Sequence, residues 1–182
     1  MAQVFIDLGA NVGAVSKTFA QKNPDSEIFC VEPNIRLIPA ILGAAAELRR
    51  TINIIWSAAW TYDGTINLYQ SSAAAASTII DGKIEHSGWP QIDYSKPEPV
   101  PCFDFSSWLL RRFSLHDDII LKMDVEGAEY DLLEKMLRDR SIYLVRRLIC
   151  EWHFDRYPAI SIERHRALQS KLENVVAVDT WT

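Results

Sequence analysis

Short apolar runs alternate along this chain with stretches whose apolar residues recur every three or four positions. The runs predict strands at 4–6, 27–31, 52–56, 66–69, 119–123, 143–152 and 175–181. The spaced stretches predict helices between them. At 13–22, Val12, Val15 and Phe19 share one face. A second helix runs from Asn34, its expected N-cap, to about Arg50, with Leu37, Ile38, Ile41 and Leu42 inward; Pro39 is expected to delay its start by a turn. A short helix starts at Asp104 and buries Trp108, Leu109 and Phe113. Ala128, Leu132, Leu133, Met136 and Leu137 mark an amphipathic helix, and 161–172 gives the last one. Strands that alternate with helices argue for an α/β fold, a three-layer sandwich with a mostly parallel central sheet. There is no internal repeat.

Residues 71–101 break this rhythm. Small residues fill 71–77, and Pro90, Pro97, Pro99 and Pro101 follow. The expectation is one long surface loop, a type uncommon in compact domains and often functional. Trp89 and Tyr94, with His86, Gln91 and Asp93 as polar neighbours, offer flat faces and hydrogen-bonding groups that suit a sugar, or rings that anchor the loop to the core.

At 182 residues, 48% hydrophobic and 24% charged, the chain reads as one globular domain over 1–182. The net charge of -5 and the scattered arginine doublets argue against a nucleic-acid partner. No segment approaches the ~18 apolar residues needed to span a bilayer. Cys30, Cys102 and Cys150 are few, odd in number and far apart, which argues against a disulfide framework or zinc knuckle and fits a reducing cytoplasm. The chain begins almost at its first strand, as expected of a minimal protein or of one domain from a longer one. Its short ends leave room for a homodimer that covers the open side.

Three places carry chemistry. The first is the strand–turn–helix Asp7-Leu8-Gly9-Ala10-Asn11-Val12-Gly13, followed by Glu32 at the end of the second strand. Glycines allow close backbone approach, a helix start offers N–H groups, and an acid at the second strand end takes ribose hydroxyls. A nucleoside-containing cofactor follows. The turn lacks the middle glycine of the dinucleotide pattern, and Asp7 at its mouth would repel a pyrophosphate, so S-adenosylmethionine is favoured over a nicotinamide dinucleotide. Asp7 holding the turn is the structural alternative. The second place is Asp124-Val125-Glu126-Gly127-Ala128-Glu129, where Asp124 is either a cofactor or catalytic group or the N-cap of a helix. The third is Glu151-Trp152-His153. In a strand Glu151 and His153 point to one side and can meet Asp124. An alcohol needs its proton removed before it attacks a methyl group. His153 is one candidate base, oriented by Asp124 or Glu151; a divalent ion such as Mg²⁺ or Mn²⁺ on Asp124, Glu151 and His153 is the other reading. In a third, Glu151 simply pairs with Arg146 or Arg147.

The segments FIDLGANVG (5–13), VEPN (31–34), SAAWTYDGTINLY (57–69) and LKMDVEGAEYDLLEKML (121–137) resemble the FkbM family of methyltransferases. The resemblance implies the class I methyltransferase (Rossmann-like) fold, S-adenosylmethionine as cofactor, and O-methylation of a hydroxyl on a glycan sugar or a glycosylated or macrolide-type metabolite. It also implies that Asp7, Gly9, Asn11 and Gly13 line the methionine part of the cofactor. Glu32 then binds the ribose, with Pro33 and Asn34 near the adenosine and Ser57 and Ala58 by the adenine. A nicotinamide-dependent oxidoreductase and a non-catalytic cofactor-binding partner subunit are the competing readings.

Overall fold

The elements follow one another as β1 (Gln3–Leu8), α1 (Ala14–Lys22), β2 (Glu27–Val31), α2 (Ile38–Leu48), β3 (Asn53–Ile55), β4 (Ala58–Trp60) and β5 (Gly64–Leu68). Then come β6 (Glu98–Asp104), α3 (Phe105–Arg112), β7 (Asp118–Met123), α4 (Glu129–Arg138), β8 (Val145–Cys150), α5 (Ile162–Glu173) and β9 (Ala177–Thr180). The structure is a computed structural model that describes residues 3–73, 76–84 and 91–180.

Six strands form one sheet in the order β3-β2-β1-β7-β8-β9, and every pairing in it is parallel. The predicted α/β sandwich is present. Alternation along β1 sorts its side chains between two cores. Phe5 faces the α1–α2 layer with Ile28, Cys30, Ile41 and Ile120. Val4, Ile6 and Leu8 face the opposite layer with Phe105, Leu109, Leu132, Leu133, Leu168 and Leu172 from α3, α4 and α5. Chain order reverses between β1 and β7, so a cleft opens beyond their carboxyl ends, where open α/β sheets bind ligands.

The long loop expected at 71–101 is shorter. Residues from Glu98 onward form β6, the middle strand of a second sheet ordered β4-β6-β5. Pro99 and Pro101 hid this strand. They fall on alternate residues, so the N–H groups they lack lie on one edge, and β4 joins β6 only from Cys102 onward. The described parts of the remaining loop are tied down by the Tyr69–Thr78 and Ser71–Ile92 bridges.

Some details follow expectation and others depart from it. Helix α2 starts at Ile38 with Pro39 in its first turn, where a missing N–H costs nothing, as its position implied. Asn34 caps the preceding turn instead, its Oδ1 accepting from Arg36 N at 3.1 Å. Leu42 is 55% exposed and Val12 45% exposed rather than inward. Trp108 packs among Phe29, Phe105 and Phe113, and Trp60 is partly buried against the core. All three cysteines are free and buried. Among the described residues no helix is long and apolar enough to cross a membrane.

Candidate functional site

The turn after β1 is shaped by three left-handed residues, Gly9 (φ 74°), Asn11 (φ 52°) and Gly13 (φ 77°). Gly9 needs its missing side chain for a reason the sequence did not show. A Cβ there would stand 1.8 Å from the Asp124 carbonyl oxygen, so the β1 and β7 ends can meet only across a glycine. Gly13 caps α1 and packs on Ile41, outside the cleft lining. The turn satisfies itself: Gly9 N and Ala10 N donate to the Val31 carbonyl, Asn11 N to Glu32 Oε2, and Gly13 N to the Ala10 carbonyl.

Asp7 is not at the mouth of the turn. β1 continues through Leu8, so alternation turns Asp7 inward beneath α1, where it is fully buried. It accepts from Ser16 Oγ at 2.7 Å and pairs with Lys122 Nζ at 3.1 Å. The structure thus gives Asp7 the turn-holding position, through a lysine and a serine. Lys122 also donates to the Gly9 carbonyl at 2.9 Å and lies 3.3 Å from Asp124 Oδ2. Burial opposes its charge, yet Asp7 and Asp124 hold the ammonium above its usual range. Sequence reading passed over Lys122, although a lone lysine inside the apolar run 119–123 has to find a buried partner.

The cleft itself is lined by Gly9, Asn11, Val31, Glu32, Pro33, Leu37, Ala58, Ala59, Leu68, Ser77, Ile79, Asp124, Val125 and Glu126. It therefore brings together Gly9, Asn11, Glu32, Pro33, Ala58 and Asp124 from the candidate set. Ser57 and Asn34 are buried beside it but do not line it. Glu32 is held rigidly, its two oxygens accepting from Asn11 N and Asn34 N at 2.8 Å each. Burial pushes its carboxyl up to about 7, against the pull of those two amides.

At the far end, β7 gives way to the loop 124–128. Glu126 is left-handed (φ 51°), and a Cβ on Gly127 would meet the Tyr157 ring at 2.5 Å. Asp124 therefore precedes α4 by a loop and is not its N-cap; Ala128 is. Buried Glu129 folds back and accepts from Val125 N at 3.0 Å and from Gly127 N at 3.0 Å. The hydroxyls of Thr78 and Tyr157 both donate to the Glu126 carbonyl. This unusual turn is thus bonded from three sides.

β8 ends at Cys150, so Glu151 and His153 lie beyond the strand, yet they still meet. His153 is fully buried. Its Nδ1 lies 2.8 Å from Glu129 Oε1. Its Nε2 faces Glu151 at 3.4 Å, Glu126 at 3.5 Å and Asp124 at 3.9 Å, and hydrogen-bonds to none of them. Burial disfavours the ring's charge, but Glu129, Glu151 and Glu126 together raise it to about 10. A general base has to be neutral and reachable at working pH. Burial and the surrounding carboxylates, which favour the charged ring, weigh against His153 acting alone as the base expected of it. Burial, offset by Lys122, leaves the Asp124 carboxyl above its usual range. Glu151 pairs with Arg156, not with Arg146 or Arg147, which bind Asp118 and Asp179. Lys83 Nζ lies 2.6 Å from Glu126 Oε2, and nothing in the sequence around it pointed there.

On the loop, the Tyr94 hydroxyl accepts from Lys83 N, and its ring lies 4.9 Å from that of Tyr69, the anchoring role. Gln91 N donates to Ser72 Oγ, and Asp93 accepts from Ser95. His86 and Trp89 lie outside the described residues.

The profile of the methyltransferase FkbM domain matches residues 7–175. No curated protein matches the chain. Among solved structures, the crystal structure of methyltransferase FkbM from Methylobacillus flagellatus KT superposes with a TM-score of 0.57 at 11% identity. The alignment covers 96% of this chain and 38% of that one. At such identity the likeness concerns the fold, and it is the same α/β sandwich.

Proposed function

We propose, since this chain belongs to the FkbM methyltransferase family, that it takes S-adenosylmethionine as methyl donor and methylates a hydroxyl group, most simply that of a sugar in a glycan or glycosylated metabolite. The observation that carries the cofactor is the cleft between Glu32 and Asp124. Its turn is poor in donors for phosphate, because four of its backbone amides are already spent on Val31, Glu32 and Ala10. Its walls carry carboxylates instead, which suits a ligand with ribose hydroxyls and positive charge and no phosphate. That choice sets the nicotinamide reading aside.

Glu32 would take the ribose, its orientation fixed by two amides. Pro33, Leu37 and Ala58 give the apolar wall for the base. Gly9 and Asn11 shape the floor toward Asp124. When bound, S-adenosylmethionine supplies an electrophilic methyl group with a thioether as leaving group. The chain's part is to hold an acceptor oxygen in line and to take its proton. Asp124 and Glu151 border that position. Lys122 fixes Asp124 through one carboxylate oxygen, leaving the other turned to the cluster.

The test is incubation of the purified chain with isotopically methyl-labelled S-adenosylmethionine and a panel of sugars, sugar nucleotides and simple alcohols. Label on an oxygen of a sugar supports the reading. Label appearing only on nitrogen or carbon acceptors in a widened panel overturns the hydroxyl assignment.

A further inference from the structure

The ring nitrogen His153 Nε2 is fully buried, has no hydrogen-bond partner among the described residues and is aimed at three carboxylates. A buried polar atom without a partner is costly, and here the partners stand ready but too far away. Hydrogen bonds to them would need ~2.8 Å; the separations are 3.4 to 3.9 Å. Two donors that share one cation at ~2.1 Å lie ~3.0 Å apart when adjacent and ~4.2 Å when opposite. The spacing fits a shared ion better than a direct bond.

We propose that Asp124, Glu126 and His153 hold one divalent cation at the acceptor end of the cleft, with Glu151 as a further oxygen donor. The ligand atoms of the first three all lie within 4.8 Å of one another. A site with one imidazole and two or three carboxylates suits Mg²⁺ or Mn²⁺. This differs from the sequence expectation by adding Glu126, which the left-handed loop turns inward. Three further features match. Glu129 on Nδ1 orients the ring, as carboxylates behind metal-bound histidines do. Asp124 divides its oxygens, Oδ2 toward Lys122 and Oδ1 toward His153. By formal charge, with the His153 ring neutral as a metal ligand has to be, Asp7, Asp124, Glu126, Glu129 and Glu151 outnumber Lys83, Lys122 and Arg156 by two negatives, which a dication balances. The role of the ion, lowering the pKa of a bound hydroxyl, rests on the methylation reading. The site does not.

The test is titration of Mn²⁺ into the purified chain, read by electron paramagnetic resonance as loss of the free-ion signal, with S-adenosylhomocysteine binding measured on the same samples. The expected result is one micromolar Mn²⁺ site. Glu126→Gln and His153→Gln should each weaken it ten-fold or more, and Glu129→Gln by about 10–100-fold. Should buried His153→Gln unfold, Glu126→Gln at the loop carries the comparison. Free Mn²⁺ at millimolar concentration with the wild-type chain, or equal binding by folded Glu126→Gln, overturns the proposal. S-adenosylhomocysteine binding without Mn²⁺ binding fails the metal site alone. Mn²⁺ binding without S-adenosylhomocysteine binding fails the cofactor reading and supports the metal site.

Discussion

Lys122 stands directly across the β1–β7 ladder from Asp7, and its ammonium lies 3.1 Å from the Asp7 carboxylate. Both side chains are sealed from solvent, at the point where the strand order of the sheet reverses. The same ammonium reaches the Gly9 carbonyl and Asp124. One lysine thus connects the turn after β1 to Asp124 at the far end of the cleft.

Removing that lysine leaves a buried carboxylate without its partner. Lys122→Met should destabilise the fold by ~3–5 kcal/mol, the usual cost of breaking a buried pair. Asp7→Asn combined with Lys122→Met should recover part of that loss, because the uncompensated charge goes too. Chemical denaturation of the single and double variants checks this. A double variant that loses the sum of the two single losses would mean that the pair is not coupled.

Gly9→Ala should damage structure and cofactor binding together. The new methyl group collides with backbone at Asp124, which cannot swing away, and the residue is left-handed as well. A loss well above the ~1 kcal/mol of an ordinary incompatible glycine substitution is expected. Thermal melting reads the first effect and S-adenosylhomocysteine titration the second. A variant with native stability would contradict the close approach of the β1 and β7 ends.

On the proposed function, Glu32 gives cofactor binding a pH dependence. Its carboxyl titrates at about 7 in the free protein, above its ordinary value of 4.5. The folded chain then holds more protons than the unfolded one between these values, so this group subtracts stability as pH rises from about 4.5 through about 7. Ribose hydroxyls donate to the ionised form and favour it. S-adenosylhomocysteine should therefore bind more tightly at pH 8 than at pH 6, with proton release on binding below about pH 7, and raise the melting temperature more at the higher pH. Calorimetry in buffers of different ionisation enthalpy measures the release. Glu32→Gln should abolish it and weaken binding about ten-fold or more, as expected for hydrogen bonds to a charged group at ~1.5–3 kcal/mol each.

The sheet was readable because parallel strands buried on both faces appear as continuous apolar runs, and β1, β2 and β7 are such runs. β6 was not, because Pro99 and Pro101 look like loop residues unless one knows that its edge there is unpaired. Gly9, Asn11, Glu32 and Asp124 were legible as residues at strand ends. Asp7 was misplaced by the length of β1, since one added residue turns a side chain from the mouth to the interior. Glu126 was not singled out because its direction depends on a left-handed backbone held by nearby Glu129 and by Thr78 and Tyr157, which lie far along the sequence. Lys83 comes from a loop with no periodic pattern.

The most direct test of the methyltransferase account is calorimetric titration of the purified, folded chain with S-adenosylhomocysteine, beside a matched titration with NADH. Micromolar, one-to-one binding of S-adenosylhomocysteine with no response to NADH is the predicted result. A folded chain that ignores S-adenosylhomocysteine, or that binds NADH in its place, would contradict the account.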